Sequence, residues 1–209
     1  MCNEHRRGVA LGQIVDDWSQ TRLPLRFPEG LPNLAPLDSV RITDPTVIIR
    51  ASREEKGAAE LVVRRWSWPG PRGAPVFNFR SEGREFPTGR CLIVADGFYE
   101  YTERTAEPGA APKKRGPKDR WLFTRRGEDW FCIAGLWRTA PEVGEACTML
   151  TAAPGPDIAP YHNRQIVVLD RADWADWIDP SVPAAELLKS SPAGTFDVKL
   201  ANRSGDTPA

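Results

Sequence analysis

Arg90-Cys91-Leu92-Ile93-Val94-Ala95-Asp96-Gly97-Phe98-Tyr99-Glu100-Tyr101 opens with an unbroken apolar run, Cys91 to Ala95. A run of that length and composition predicts a strand buried on both faces. Asp96-Gly97 then reads as a turn, because glycine accepts the positive φ that tight turns require. A second strand follows with alternation: Phe98 and Glu100 on one face, Tyr99 and Tyr101 on the other. Glu100 is therefore a carboxylate set among aromatic residues beside the most apolar strand of the chain. Desolvation there raises its pKa and suits it to proton transfer near neutrality. A solvated glutamate on an edge strand satisfies the same local pattern.

The regions on either side predict a sheet-rich chain. Val9 to Gln20 places Leu11, Ile14, Val15 and Trp18 on one helical face. Thr21 to Pro36 carries four prolines and reads as an extended loop. Strands are expected near 39–42, 46–50 and 60–65, with Gly57 turning the last two into a hairpin. In Val76 to Glu82, Asn78, Arg80 and Glu82 share a face opposite Phe77 and Phe79, the pattern of a pocket wall or of a sheet with one wet face. Trp66 and Trp68 precede a Pro-Gly loop, and Trp66 can pack in a core or stack on an unpaired base. Further strands are expected at 121–124, 130–137, 146–152 and 166–169, a short helix at 172–178 and a last strand at 196–200. Residues 104–120 hold six basic and two acidic side chains amid Pro, Gly and Ala, which reads as a mobile basic loop. Residues 204–209 read as a disordered tail, leaving one domain over 1–203.

The 209 residues contain 28 basic and 28 acidic side chains, so bulk charge does not draw the chain to nucleic acid. Four cysteines without metal-ligand spacing and two histidines predict no metal, and nothing calls for a cofactor. The absence of a signal peptide or bilayer-length apolar run points to the cytoplasm and away from membranes.

Met1-Cys2 carries distinctive chemistry. Removal of Met1 before the small Cys2 side chain leaves a 1,2-aminothiol whose amine, with a reference pKa of about 7.7–8.0, is partly neutral at physiological pH. Such a group condenses with an aldehyde to an imine, and the thiol then closes a thiazolidine ring.

Taken in order, Met1-Cys2, Asn33-Leu34-Ala35-Pro36, Asn78-Phe79-Arg80, Arg90 to Tyr101, Ala134-Gly135-Leu136-Trp137 and His162-Asn163-Arg164 resemble the motifs of the SOS response-associated peptidase (SRAP) family of abasic-site shielding proteins. The resemblance spans Cys2 to about Asn202. It implies a single α+β domain of barrel-like mixed and antiparallel β-sheets with a few peripheral helices, acting as a monomer on single-stranded DNA that contains an abasic site. By the same resemblance Cys2 is the nucleophile, Asn78 holds the cysteine and sugar, Glu100 and His162 move protons, Arg80 and Arg164 grip phosphates, and Trp66 is the base-stacking aromatic. The family usually has Gly-Arg after the cysteine and His-Asp-Arg at the second motif. Asn3-Glu4 and Asn163 replace them here. A glutamate in place of that arginine is expected to weaken the grip on DNA unless Arg6 or Arg7 substitutes. The competing readings are a thiol peptidase using Cys2, His162 and Glu100 on proteins, and a non-catalytic single-stranded DNA-binding protein.

Overall fold

The computed structural model describes residues 2–103 and 118–203. In chain order it contains β1 (Glu4–Arg7), α1 (Leu11–Trp18), β2 (Leu25–Arg26), β3 (Leu37–Arg41), β4 (Pro45–Ala51), β5 (Ala59–Trp66), β6 (Trp68–Pro69) and β7 (Pro75–Val76). Next come β8 (Asn78–Arg80), β9 (Arg90–Ala95), β10 (Gly97–Glu103), β11 (Lys118–Arg125), β12 (Phe131–Ala140) and β13 (Gly144–Ala152). The chain continues through β14 (Gln165–Ile166), β15 (Val168–Leu169), α2 (Trp174–Ile178), α3 (Ala184–Leu187) and β16 (Phe196–Arg203).

β9 is the centre of the larger sheet, between β4 and β12, and all six of its residues are buried. Its alternate side chains feed two cores. Leu92 and Val94 pack with Trp18, Trp130, Trp174 and Trp177 beneath the helices. Cys91, Ile93 and Ala95 pack with Cys2, Trp66, Phe98, Phe123 and Phe131 on the other side. Burial on both faces is what its continuous apolar sequence predicts. β13 also pairs in parallel with β5, so β5, β4, β9, β12 and β13 form a closed five-stranded barrel.

The second sheet runs β16-β11-β10-β1-β3. β10 follows β9 directly in the chain yet pairs with β1 and β11 instead. Asp96-Gly97 is thus a corner between sheets, correcting the expectation of a tight turn, and Gly97 is not among the positive-φ glycines of the described residues. Its small size serves close packing: a Cβ there would lie 2.8 Å from Leu122 Cδ1 and 3.2 Å from the Phe123 carbonyl oxygen. Gly57, with φ +82°, does turn the β4–β5 hairpin.

The architecture is α+β, barrel-like mixed and antiparallel sheets with short helices outside, as expected. α1 buries Ile14 and Trp18, whereas Val15 is 37% exposed. β10 and β11 pair up to Glu103 and Lys118, so residues 104–117 connect two partners of one hairpin. The expected mobile loop lies largely, and the expected tail wholly, outside the described residues. No described helix is long and apolar enough to cross a membrane, and no described cluster of His, Cys, Asp and Glu could hold a metal.

Candidate active site

β1 lies between β10 and β3 in the second sheet, hydrogen-bonded to β10 through His5↔Phe98 and Arg6↔Gly97. That pairing carries the residues before it along β10 toward Glu100. Cys2 is consequently buried, 1% exposed, although it stands at the start of the described chain. The Asn78 side-chain amide donates to the Cys2 carbonyl oxygen at 2.7 Å, and the Cys2 thiol donates to the Glu4 carbonyl oxygen at 3.3 Å. Asn78 reaches this point because β8 runs parallel to β13, in register with Met149.

Glu100 is 1% exposed, which settles the choice between a buried and a solvated carboxylate. Burial pushes its pKa up to about 7, against the lowering effects of the amino-terminal charge and of hydrogen bonding from the Cys2 backbone N–H. Burial also raises the Cys2 thiol pKa, and the Glu100 charge adds to the rise. At neutral pH the site therefore pairs a protonated thiol with a carboxyl poised between its two forms.

His162 closes the turn after Gly155, its backbone N–H donating to the Ile158 carbonyl at 2.9 Å. Its Nδ1 lies 3.0 Å from the Arg164 backbone nitrogen and 3.1 Å from the Arg164 carbonyl oxygen, which fixes the ring through one nitrogen. Burial lowers its pKa, and the amino-terminal charge lowers it further, so the neutral imidazole dominates at pH 7.

Arg80 is exposed on β8. Arg164 is engaged by protein groups: its guanidinium forks onto Glu82 and donates to the Thr151 carbonyl and hydroxyl oxygens at 2.7 and 3.0 Å. This bond holds the Glu82 carboxyl down at about 2. Trp66 requires a correction. It is fully buried, its indole N–H donates to the Phe77 carbonyl at 3.0 Å, and its ring packs edge-on against His5 and Phe77. As the last residue of β5, beside Cys147 where the barrel closes, it is a core residue with no exposed face for a base.

Glu4 also departs from expectation. It is 2% exposed and accepts hydrogen bonds from Ser39, Tyr101 and Arg120, so its charge faces inward. Arg6 pairs with Asp96, and Arg7 is buried with its guanidinium on the Ala35 carbonyl, so neither stands ready at the surface to replace an arginine at position 4. Nothing local in Glu4-His5-Arg6-Arg7 marks this burial, because the partners of Glu4 lie 35, 97 and 116 residues along the chain.

The sequence model of the SOS response associated peptidase (SRAP) family matches residues 33–201. The chain belongs to the SRAP family. The matched span holds Asn78, Glu100 and His162, while Cys2 and Glu4 precede it. This SRAP chain is 25% identical over 174 residues to the abasic site processing protein YoqW of Bacillus subtilis (strain 168), across 76% of this chain and 70% of that relative. It is 24% identical over 205 residues to the abasic site processing protein YoaM of the same organism, across 91% and 84%. The SRAP fold recurs in crystal structures of a Bacteroides thetaiotaomicron protein (TM-score 0.71, 15% identity, 96% and 92% covered) and a Bordetella bronchiseptica protein (TM-score 0.67, 20% identity, 96% and 100% covered).

Proposed function

We propose that this SRAP protein processes abasic sites in single-stranded DNA, linking itself covalently to the open sugar through Cys2 after Met1 is removed and thereby shielding the lesion during the DNA-damage response. One observation carries the reading: the Cys2 backbone nitrogen, which becomes the α-amine once Met1 is gone, is hydrogen-bonded to a buried carboxyl with a pKa near neutrality. The names of the Bacillus relatives support its coarser part, the processing of abasic sites.

The abasic sugar opens to an aldehyde when its ring oxygen takes a proton and its C1′ hydroxyl gives one up; the minor protonated form of His162 donates the first and the neutral ring so formed takes the second, which regenerates it. The Cys2 amine adds to the aldehyde carbon to form a carbinolamine. Glu100 takes the proton released by nitrogen and returns it to the departing hydroxyl, which leaves as water and gives an imine. The thiol sulfur then bonds to the imine carbon while its proton passes, through Glu100, to the nitrogen. The product is a thiazolidine, and one water is lost overall. A thiol whose pKa is raised suits this order, since it closes the ring after the imine has formed. Asn78 holds the Cys2 carbonyl throughout, and Arg80 and Arg164 take the flanking phosphates. Trp66 has no part in the binding surface.

The same groups, acting on the Met1–Cys2 peptide bond with one water, account for an autocatalytic release of Met1. Peptidase action on other proteins is disfavoured by the buried, protonated thiol. Incubation with abasic and intact oligonucleotides tests the reading. A denaturation-resistant adduct with the abasic strand alone is expected. Reversible binding alone would make the protein a non-catalytic DNA binder, and neither product would leave the peptidase reading.

A further inference from the structure

The mechanism above makes no use of Glu4, yet it is among the most heavily bonded carboxylates of the described chain. Ser39 on β3 and Tyr101 on β10 donate their hydroxyls to it. Arg120 on β11 forks onto it through Nε at 3.2 Å and Nη2 at 2.7 Å, and Arg41 Nε lies 3.7 Å away. The Arg120 guanidinium in turn covers the Tyr99 ring, 3.6 Å from its centroid. One side chain on β1 thus gathers groups from three other strands. Its own carbonyl oxygen receives the Cys2 thiol.

The backbone ladder does not supply this hold. The β1–β10 register comprises His5↔Phe98 and Arg6↔Gly97, both on the far side of Glu4 from Cys2. On the β3 side, Glu4↔Arg41 is the pair nearest Cys2. The end of β1 that carries the reactive nitrogen therefore depends on bonds outside the ladder: the Asn78 amide on the Cys2 carbonyl, the Tyr99 backbone N–H on the Cys2 sulfur and the clamp at Glu4. A carboxylate buried there is strongly unfavourable without partners and rigidly placed once its lone pairs are filled.

We infer that Glu4 is a positioning residue: its buried carboxylate, clamped by Arg120, Tyr101 and Ser39, fixes residues 2–4 so that the Cys2 amine rests on Glu100. The inference builds on the function proposed above. It also means that Glu4 holds the Arg120 guanidinium in an ion pair within the sheet.

The test uses the processed full chain, with Glu4→Gln and the milder Tyr101→Phe and Ser39→Ala. Single-turnover crosslinking at saturating abasic oligonucleotide should slow about tenfold in Glu4→Gln and about threefold in Tyr101→Phe, since small misplacements of a reacting group are costly. Affinity for the intact strand should not weaken. Glycolaldehyde supplies a readout without DNA. Thiazolidine formation at Cys2, followed by mass spectrometry, should show a rate limb near pH 7 from Glu100 in the wild type, and Glu4→Gln should lose it. Wild-type rates at saturation, or weakened DNA affinity as the sole change, would overturn the inference. If Glu4→Gln fails to fold, the same comparisons are decided on Tyr101→Phe and Ser39→Ala. If the wild type forms no adduct with abasic DNA, the functional reading falls, yet an unchanged glycolaldehyde profile in the variants still sinks the role of Glu4.

Discussion

His5 and Glu100 are both buried, and burial moves them in opposite senses: the His5 pKa falls to about 4 and that of Glu100 rises to about 7. As pH drops from 6.5 to 4, an unfolded His5 takes up a proton that the folded protein refuses, so acid costs stability. As pH rises from 4.5 to 7, an unfolded Glu100 releases a proton that the folded protein retains, so base costs stability. Each contribution is about 3 kcal/mol, and over most of that window they offset. Glu100→Gln should therefore lose stability on acidification below pH 6.5, and His5→Gln should lose it between pH 4.5 and 7. Urea melts at four pH values across this range would show either slope or its absence. For the chemistry, Cys2→Ala should abolish the stable adduct without unfolding the protein, while Cys2→Ser should retain an imine that borohydride traps. Glu100→Gln should slow crosslinking by about 10²–10⁴-fold with DNA affinity little changed, as measured by single-turnover gels. The places of Asn78 and Glu100 beside Cys2 were legible because motif and local pattern both mark them. Trp66 was left open between core and surface because a sequence does not show which ring faces are covered. Glu4 escaped because its meaning lies in Arg120 and Tyr101, far along the chain.

Among elements, β9 was readable from five apolar residues, since a run that short, closed by Asp96-Gly97, fits a strand buried on both faces better than a helix. The corner after it was not. Asp96-Gly97 has the composition of a tight turn, but which strand pairs with β10 is decided by β1 and β11, which local sequence does not name. The two glycines that the sequence treats alike should consequently fail differently. Gly97→Ala places a methyl 2.8 Å from Leu122 Cδ1 and should cost about 1–3 kcal/mol through overpacking. Gly57→Ala meets nothing within 4 Å and bears only the left-handed φ of +82°, about 1 kcal/mol. Paired urea melts, with the m-value checked for constancy, should rank them in that order.

Across the whole molecule, a formal net charge of zero conceals extensive pairing. Arg120 is held by Glu4, Arg6 by Asp96 and Arg164 by Glu82, which leaves Arg80 exposed and Arg164 available only by exchange of Glu82 for a phosphate. Binding to an intact single strand should therefore depend weakly on salt, with a slope of about −1.4 for two phosphate contacts. A slope of about −4 would instead assign contacts to the basic residues of 104–120. The sheet order has a further bearing on when the site exists. β1 is laid down first, but its neighbour β10 is followed by β11, whose own outer partner is β16, ending at Arg203. During synthesis the amino-terminal cysteine thus leaves the ribosome long before the sheet that seats it can close. Met1 can be cleaved from a still-extended chain, and Cys2 is buried against Glu100 only once β10, about a hundred residues later, has been made. Residues made early are armed late.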